Sequence, residues 1–220
     1  MIKAILFDLD ETLVNRQETM RVFLMEQHSH FSLQGQCSGE EFAKTCLNFQ
    51  HHGYRPKEEA YLEACKELQL SADLSMKLFA HYRLEYGKNA FPFPGSVETI
   101  AKLSQHYPLG LVSNGTTRGQ MGKLQSVGLL PYFDSILISE SFGVKKPNPT
   151  IFLACLQELG VAPQDALFIG DHPEADIQPA MALKMKAVWV QNKNFPPPLD
   201  CDARVDSVQE IPDILESIAS

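Results

Sequence analysis

Residues 1–14 read MIKAILFDLDETLV, and this stretch decides the fold. The apolar run Ile2–Phe7 has the length of a buried parallel strand, and two acids follow it, Asp8 and Asp10. Because side chains alternate along a strand, these two carboxylates leave its carboxyl end close together. In an open α/β sheet that end of the strands is the edge where ligands bind. The stretch therefore predicts a strand that carries paired carboxylates to a binding edge.

The rest of the chain alternates between strand-like and helix-like segments. Four further strand-like runs follow: Leu109–Val112, Ile136–Ile138, Ala166–Ile169 and Ala187–Val190. This predicts an α/β fold with a Rossmann-like parallel sheet and helices on both faces. Roughly a hundred residues separate the first two runs, too many for one crossover helix. We expect an all-helical cap subdomain at 15–90, inserted into a catalytic core of residues 1–14 and 91–220.

Composition restricts the function classes. The chain has 220 residues, 44% of them hydrophobic and 21% charged, which is typical of a globular protein. Its net charge of −8 argues against nucleic-acid binding, which needs clustered Lys and Arg. The five cysteines form no CxxC pair, no apolar run has the length of a membrane span, and the N-terminus does not resemble a secretory signal. We expect a cytoplasmic protein with no membrane partner, as a monomer or a homodimer.

Capping residues predict where three helices begin. Ser38 has a glutamate three residues later, the spacing of a capping box, and Ser71 is a second candidate N-cap. Asn148 precedes Pro149, a combination that favours an N-cap followed by the first helical position. Lys146 lies just before this third start, so its side chain could project over the strand ends as a fixed positive charge.

Three more polar clusters follow later strands at the same predicted edge: Ser113 with Asn114, Lys146, and Asp171 with Asp176. Each cluster alone has an ordinary structural explanation, namely a polar turn, a solvated lysine, or an acid at a helix start. Together with Asp8 and Asp10 they bring carboxylates, hydroxyls and a lysine to one edge. Metal-assisted phosphoryl transfer needs those groups, because a cation screens charge, a lysine stabilises it and a carboxylate attacks.

With these motifs in this order, the chain resembles the haloacid dehalogenase superfamily, in its phosphatase branch with a helical cap inserted after the first motif. The resemblance covers essentially the whole chain. The segments that carry it are FDLDETL (7–13), LVSNGT (111–116), KLQSVGLLPYFDSILISESFGVKKPNPTIF (123–152), FIGDHPEAD (168–176) and AVWV (187–190).

The resemblance implies a role for each matching residue. Asp8 would attack phosphorus and form an aspartyl-phosphate, while Asp10 would protonate the leaving oxygen and then activate the hydrolytic water. This double role requires a pKa of Asp10 near neutrality. Mg²⁺ would be bound by four groups: Asp8, the backbone carbonyl of Asp10, Asp171 and Asp176. The phosphoryl oxygens would be bound by four others: Thr12, Ser113, Asn114 and Lys146.

The implied function is a Mg²⁺-dependent phosphomonoesterase of a small phosphorylated metabolite. The stretch 123–140 is most similar to the branch of nucleoside 5′-monophosphatases and acylneuraminate-9-phosphatases, and a sugar phosphate is another candidate substrate. Three alternatives share the fold: a sugar-phosphate mutase, a 2-haloacid dehalogenase that uses no magnesium, and a non-enzymatic binding protein. Arg16 and Arg55, in the predicted cap, are candidates for contact with the rest of the substrate.

Two positions after Asp176 depart from the family pattern. Pro179 stands in the first turn of the next helix, and Lys184 replaces the glycine that commonly ends it. His172 is a further unusual residue, either a metal ligand or proton carrier or a loop residue at the mouth of the cleft.

Overall fold

A six-stranded parallel sheet forms the centre of the computed structural model, which describes residues 1–51 and 55–218. Its strands are β1 (Ala4–Phe7), β2 (Leu109–Ser113), β3 (Ser135–Ile138), β4 (Ala166–Gly170), β5 (Lys186–Val190) and β6 (Ala203–Val205). They lie in the order β3-β2-β1-β4-β5-β6. The first five match the predicted runs, whereas β6 was missed because three residues are too few to show an alternating pattern.

The helices, in chain order, are α1 (Arg16–His30), α2 (Gly39–Phe49), α3 (Lys57–Glu67), α4 (Ala72–Glu85), α5 (Ser96–Leu103), α6 (Thr117–Ser126), α7 (Ser139–Phe142), α8 (Pro149–Leu159), α9 (Gln178–Ala182) and α10 (Ile211–Ile218). The three predicted N-caps are confirmed. The hydroxyls of Ser38 and Ser71 and the side-chain oxygen of Asn148 each accept a hydrogen bond from a backbone N–H in the first turn.

Helices cover both faces of the sheet, as predicted. Alternation along β1 places Ile5 and Phe7 in one core, with α5, α6 and α10, and Leu6 in the other, with α8 and α9. All three side chains are wholly buried. The strand ends are therefore anchored from both sides, which holds the residues that follow them in place. The α/β fold class is confirmed.

Helices α1 to α4 lie between β1 and β2 in the chain and form a hydrophobic core of their own around Phe42 and Tyr61. The two segments that join them to the sheet run side by side. Val14 and Pro92 form an antiparallel bridge, and the Asn15 N–H donates to the carbonyl of Phe91 at 2.8 Å. The predicted boundaries at 14/15 and 90/91 fall in these segments, and dividing the chain there stays a prediction.

The longest described helix, α1, has 15 residues. None of the helices in the described ranges is both long enough and apolar enough to span a membrane.

Candidate active site

Three buried carboxylates meet at the carboxyl edge of the sheet. Asp8 directly follows β1, Asp171 directly follows β4, and Asp176 lies in the π-helical turn Pro173–Ile177. One oxygen of each lies within 4.8 Å of the others, and none of the three residues is more than 6% exposed. The structure therefore brings together acids from distant parts of the chain, at the edge where the sequence places them.

Burial makes this cluster unfavourable without a cation. Burial, with the charges of Asp176 and Asp10, raises the pKa of Asp8 to about 7 despite the opposing effect of Lys146. Burial and the charge of Asp8 also raise the pKa of Asp171 well above its usual value. A divalent cation among the three oxygens would offset both effects, and clustered carboxylates are the ligands that Mg²⁺ takes in proteins. The residues present fit a magnesium ion.

Lys146 supplies the positive charge beside the carboxylates. Its Nζ lies 2.6 Å from Asp8 Oδ1 and 2.7 Å from Asp176 Oδ1, and the residue is 4% exposed. Asn114 fixes the backbone of Lys146 with two bonds: Asn114 Nδ2 donates to the lysine carbonyl at 3.0 Å, and the lysine N–H donates to Asn114 Oδ1 at 2.8 Å. The side chain of Asn114 therefore positions the lysine, a part that was not predicted for it.

The Asp10 carboxylate pairs with Lys123. Lys123 Nζ lies 2.6 Å and 2.7 Å from the two carboxylate oxygens of Asp10, and the lysine is only 1% exposed. Burial tends to raise the pKa of Asp10, but Lys123 and Arg16 outweigh it, so this pKa lies below its usual value. The double role implied by the resemblance required a pKa near neutrality, and the buried cation that lowers it was not predicted from the sequence.

Gln120 and Lys123 were both missed as site residues. Gln120 Nε2 donates to Asp10 Oδ2 at 3.1 Å and to Ser113 Oγ at 2.7 Å, and Gln120 Oε1 accepts from Lys123 at 2.8 Å. The sequence did contain a signal for them. Gln120 lies one helical turn before Leu124, a core residue, and Lys123 lies directly before it, so both polar side chains fall on the buried side of α6.

The two predicted hydroxyls are buried and contact other site residues. Thr12 and Ser113 are each 1% exposed. Thr12 donates a long bond of 3.5 Å to Asp171 Oδ1, and Ser113 accepts the bond from Gln120. Asp171 makes two shorter hydrogen bonds, with a residue of β5 and with one that follows this strand. Trp189 Nε1 donates to the Asp171 carbonyl at 2.7 Å, and Asn192 Nδ2 donates to Asp171 Oδ2 at 2.6 Å.

A cleft of 320 Å³ opens above the carboxylates. Its walls include Arg16 from α1 and the loop residues Asn192 and Phe195. Arg55, the second predicted substrate contact, is not among the lining residues of this cleft and lies 3.7 Å from Glu59. Of these two predicted arginines, Arg16 is the one placed to meet a ligand.

His172 acts as an N-cap at the mouth of the cleft. Its Nδ1 accepts from the backbone N–H groups of Glu174 and Ala175 at 3.1 Å and 3.2 Å, and its ring lies 4.2 Å from that of Phe195. This capping bond occupies one ring nitrogen and orients the imidazole along the wall. The histidine therefore has a structural part next to Asp171, as a helix N-cap, that was not predicted from the sequence.

The two departures from the family pattern have local explanations. Pro179 lies in the first turn of α9, where no intrahelical N–H bond is lost. Lys184 has φ of 65°, the left-handed conformation that a glycine adopts more easily. The lysine thus has the left-handed backbone conformation of the expected glycine.

Several known proteins similar to this chain are phosphatases. The model of the haloacid dehalogenase-like hydrolase family matches residues 5–190. A glyceraldehyde 3-phosphate phosphatase of Methanopyrus kandleri is 29% identical over 100% of this chain and 99% of its own length. The N-acylneuraminate-9-phosphatase of Mus musculus is 27% identical over 99% and 95%. The crystal structure of a phosphatase from Thermococcus onnurineus has a TM-score of 0.69 and 27% identity, covering 97% of this chain and 98% of that one.

Proposed function

The chain belongs to the haloacid dehalogenase-like hydrolase family, and we propose that it is a Mg²⁺-dependent phosphatase that works through an aspartyl-phosphate on Asp8. The prediction of the general activity is confirmed: the chain is a phosphoric monoester hydrolase acting on a small phosphorylated metabolite. The proposed metal dependence and the proposed nucleophile are supported by one observation. Asp8, Asp171 and Asp176 form a buried cluster, and Lys146 lies against it.

In the proposed first step, a carboxylate oxygen of Asp8 attacks phosphorus. The new bond joins this oxygen to phosphorus as the bond from phosphorus to the alcohol oxygen breaks. A dianionic ester would be repelled by the carboxylates alone, so Lys146, 2.6 Å from Asp8, offsets part of this charge. Thr12, Ser113 and the backbone N–H of Asn114 are proposed as further contacts of the phosphoryl oxygens.

The carboxylates of Asp8, Asp171 and Asp176, with the backbone carbonyl of Asp10, would hold Mg²⁺. When bound, the ion supplies positive charge to the phosphoryl oxygens and to the three carboxylates. Asn192, Trp189 and Lys146 already fix the ligands through the contacts described above, so little rearrangement of the chain is needed.

Asp10 is proposed as the acid in the first step and the base in the second. Its pairing with Lys123 favours the ionised form, which takes a proton from the water that hydrolyses the aspartyl ester. The first step needs the protonated form. Because a nearby like charge raises the pKa of an acid, the arriving phosphate dianion favours protonation of Asp10 when the acid is needed.

We further propose a reducing, cytoplasmic setting for the enzyme. All five cysteines are free thiols in the structure, and three of them, Cys46, Cys65 and Cys155, are buried. Disulfides are rare in that compartment, where thiols are kept reduced.

The experiment that tests the proposal measures inorganic phosphate released from 4-nitrophenyl phosphate. Asp8→Asn should reduce turnover by at least ~10³-fold, because the amide cannot serve as the nucleophile. Chelation should abolish activity and Mg²⁺ should restore it. The matched control is Asp202→Asn, which removes a surface carboxylate paired with Lys186 and should leave turnover unchanged.

Three results would contradict the proposal. Full activity in Asp8→Asn would mean that another nucleophile operates. Chelator-resistant release of halide from a 2-haloacid would identify a dehalogenase. Transfer of the phosphoryl group to a second sugar phosphate, with no free phosphate released, would identify a mutase.

A further inference from the structure

Asn192 holds one oxygen of a proposed metal ligand. Its Nδ2 donates to Asp171 Oδ2 at 2.6 Å, which is short for an N–H···O hydrogen bond and is typical of an ionised acceptor. Asn192 comes two residues after β5, and Asp171 directly follows β4, the neighbouring strand in the sheet. The amide therefore reaches the carboxylate from the adjacent strand end.

The backbone of Asp171 is held separately from its side chain. Trp189 Nε1 donates to the Asp171 carbonyl at 2.7 Å, and Trp189 is buried. The other carboxylate oxygen, Oδ1, accepts the long bond of 3.5 Å from Thr12. Asn192 thus gives the carboxylate its short hydrogen bond, while Trp189 anchors the main chain. Removing the Asn192 amide should free the carboxylate to rotate and leave the backbone of Asp171 in place.

Asn192 is itself fixed by a tight turn. Its Oδ1 accepts from the backbone N–H of Asn194 at 3.0 Å, and its carbonyl accepts from the backbone N–H of Phe195 at 3.1 Å. Because an amide oxygen can only accept, this contact decides which way the side chain faces, and Nδ2 is the atom presented to Asp171. The donor to Asp171 is therefore held in place before any ligand arrives.

The same turn is connected to a second carboxylate of the cluster. The ring of Phe195 lies 4.2 Å from that of His172, and the His172 backbone N–H donates to Asp176 Oδ2 at 3.1 Å. Asp176 is only 1% exposed. The turn after β5 and the turn after β4 thus form one packed unit, and this unit restrains two of the three proposed carboxylate ligands.

Restrained carboxylates suit one kind of cation better than another. Mg²⁺ requires near-octahedral oxygen ligands at about 2.1 Å, whereas Ca²⁺ takes about six to eight oxygens at about 2.4 Å and accepts a carboxylate through one oxygen or both. Selectivity between them depends on the number and the flexibility of the ligands. A carboxylate held at one oxygen is less able to turn both oxygens toward a larger cation, and a freed one adapts more easily.

We propose that Asn192 is a positioning residue that acts through Asp171 and makes the site selective for Mg²⁺ over Ca²⁺. The inference rests on the proposed metal site and deepens it by naming the residue that sets its cation preference. Asn192 suits a test because its side chain acts on a metal ligand and has no part in the proposed phosphoryl transfer.

The experiment measures cation binding directly. The full-length protein is treated with a chelator, the chelator is removed, and the protein is titrated calorimetrically with MgCl₂ and, separately, with CaCl₂. The quantity of interest is the Kd for Ca²⁺ divided by the Kd for Mg²⁺. Phosphate release from 4-nitrophenyl phosphate is measured in parallel on the wild-type protein, so that binding and activity are observed separately.

Asn192→Leu removes the donor and keeps a side chain of similar size. We expect the Kd for Mg²⁺ to rise by ~10-fold or more, as loss of a group that orients a metal ligand does, and the Kd for Ca²⁺ to rise by less than ~3-fold. The matched control is Asn194→Leu, the same substitution in the same turn. Asn194 contacts Asn192 through its backbone N–H, so both constants should stay within ~2-fold of wild type.

Thermal unfolding of the metal-free proteins shows whether each variant folds. If Asn192→Leu does not fold, Asn192→Ser takes its place, because the shorter serine side chain also removes the bond to Asp171. The same fall in the ratio of the two dissociation constants is expected from it. A general structural defect would weaken the binding of both cations alike and leave the ratio unchanged.

The outcomes separate this inference from the proposed function. If folded Asn192→Leu or Asn192→Ser binds Mg²⁺ as wild type does, or loses affinity for both cations equally, the inference is overturned and the phosphatase function stands. An equal fall in the ratio in Asn194→Leu also overturns it. If the wild-type protein binds no Mg²⁺ and releases no phosphate, the proposed function itself has failed.

Discussion

The pairing of Asp10 with Lys123 decides what this carboxylate can do. Both oxygens of Asp10 lie within 2.7 Å of one ammonium group that is itself almost wholly buried. Such a lysine fixes the orientation of the carboxylate and favours its ionised form. Gln120 holds the same carboxylate and also contacts Ser113, so one helix connects the first motif to the second. The proposed acid and base is therefore positioned by two residues of α6, neither of which was predicted as a site residue.

Lys123→Met should lower kcat by about 10²-fold on alkyl phosphates while changing KM by less than ~3-fold, because a misplaced acid and base loses its contribution to the chemical steps. The measurement is steady-state kinetics. Lys186→Met, which breaks a surface pair with Asp202, should leave kcat unchanged and is the matched control.

Loss of fold is a separate effect of the same substitution, because breaking a buried pair leaves an unpaired charge and costs about 3–5 kcal/mol. Combining it with Asp10→Asn should recover stability in urea but not activity. An unchanged kcat in a folded Lys123→Met protein would show that Asp10 needs no positioning cation.

At the scale of elements, local pattern predicted most of the structure. The strand runs and the caps at Ser38, Ser71 and Asn148 are local signals, because a strand alternates and an N-cap bonds within one turn. The convergence of Asp8, Asp171 and Asp176 also follows from strand ends in a parallel sheet. The pairing of Asp10 with Lys123 does not, because it depends on which face of α6 packs against the loop after β1. The sequence does not determine that the buried face of α6 will pack against the loop that carries Asp10.

The junction of α4 with α6 depends on a glycine. Gly87 has φ of 96°, and a Cβ placed there would lie 2.4 Å from the carbonyl oxygen of Gly119. Gly87→Ala therefore adds a steric clash to backbone strain of about 1–3 kcal/mol. Gly128→Ala is the matched control, because Gly128 has φ of 74° but no atom near its Cβ position.

Thermal unfolding of these two variants separates the two effects. At about 2–4 °C per kcal/mol for a chain of this size, we expect Gly87→Ala to lower Tm at least ~2-fold more than Gly128→Ala. Because Gln120 and Lys123 lie on the helix that the contact reaches, kcat should also fall in Gly87→Ala alone. Equal shifts in Tm would mean that the close contact at Gly119 does not constrain the junction.

At the scale of the whole molecule, Arg16 of α1 and Lys57 of α3 interact electrostatically with Asp10, which follows the first strand of the sheet. Lys57 and Arg16 come from the inserted helices, whereas Asp10 and Lys123 come from the part that contains the sheet. The predicted cap and core are therefore electrostatically connected, whichever residues mark their boundary. We infer that the burial of Lys57 depends on α3 staying close to the sheet edge.

Lys57 makes this connection measurable. Burial, with the charges of Arg16 and Lys123, lowers the pKa of Lys57 to about 7. Between this value and the ordinary lysine pKa of about 10.4, the unfolded chain binds a proton that the folded chain does not. The free energy of unfolding therefore rises with pH across this window, by at most about 1.4 kcal/mol per pH unit from this group.

Lys57→Met removes this contribution, so we expect the stability of the variant relative to wild type to be greatest near pH 6.5 and to decline by pH 9. Urea unfolding at both pH values measures the difference. Lys44→Met, at an exposed position on α2, is the matched control. Its free energy of unfolding should differ from that of wild type by the same amount at both pH values, since water solvates that lysine in the folded and unfolded chain alike. If Lys57→Met behaves like Lys44→Met, the ammonium of Lys57 is solvated in the folded protein, and α3 does not lie over the charged edge of the sheet in solution.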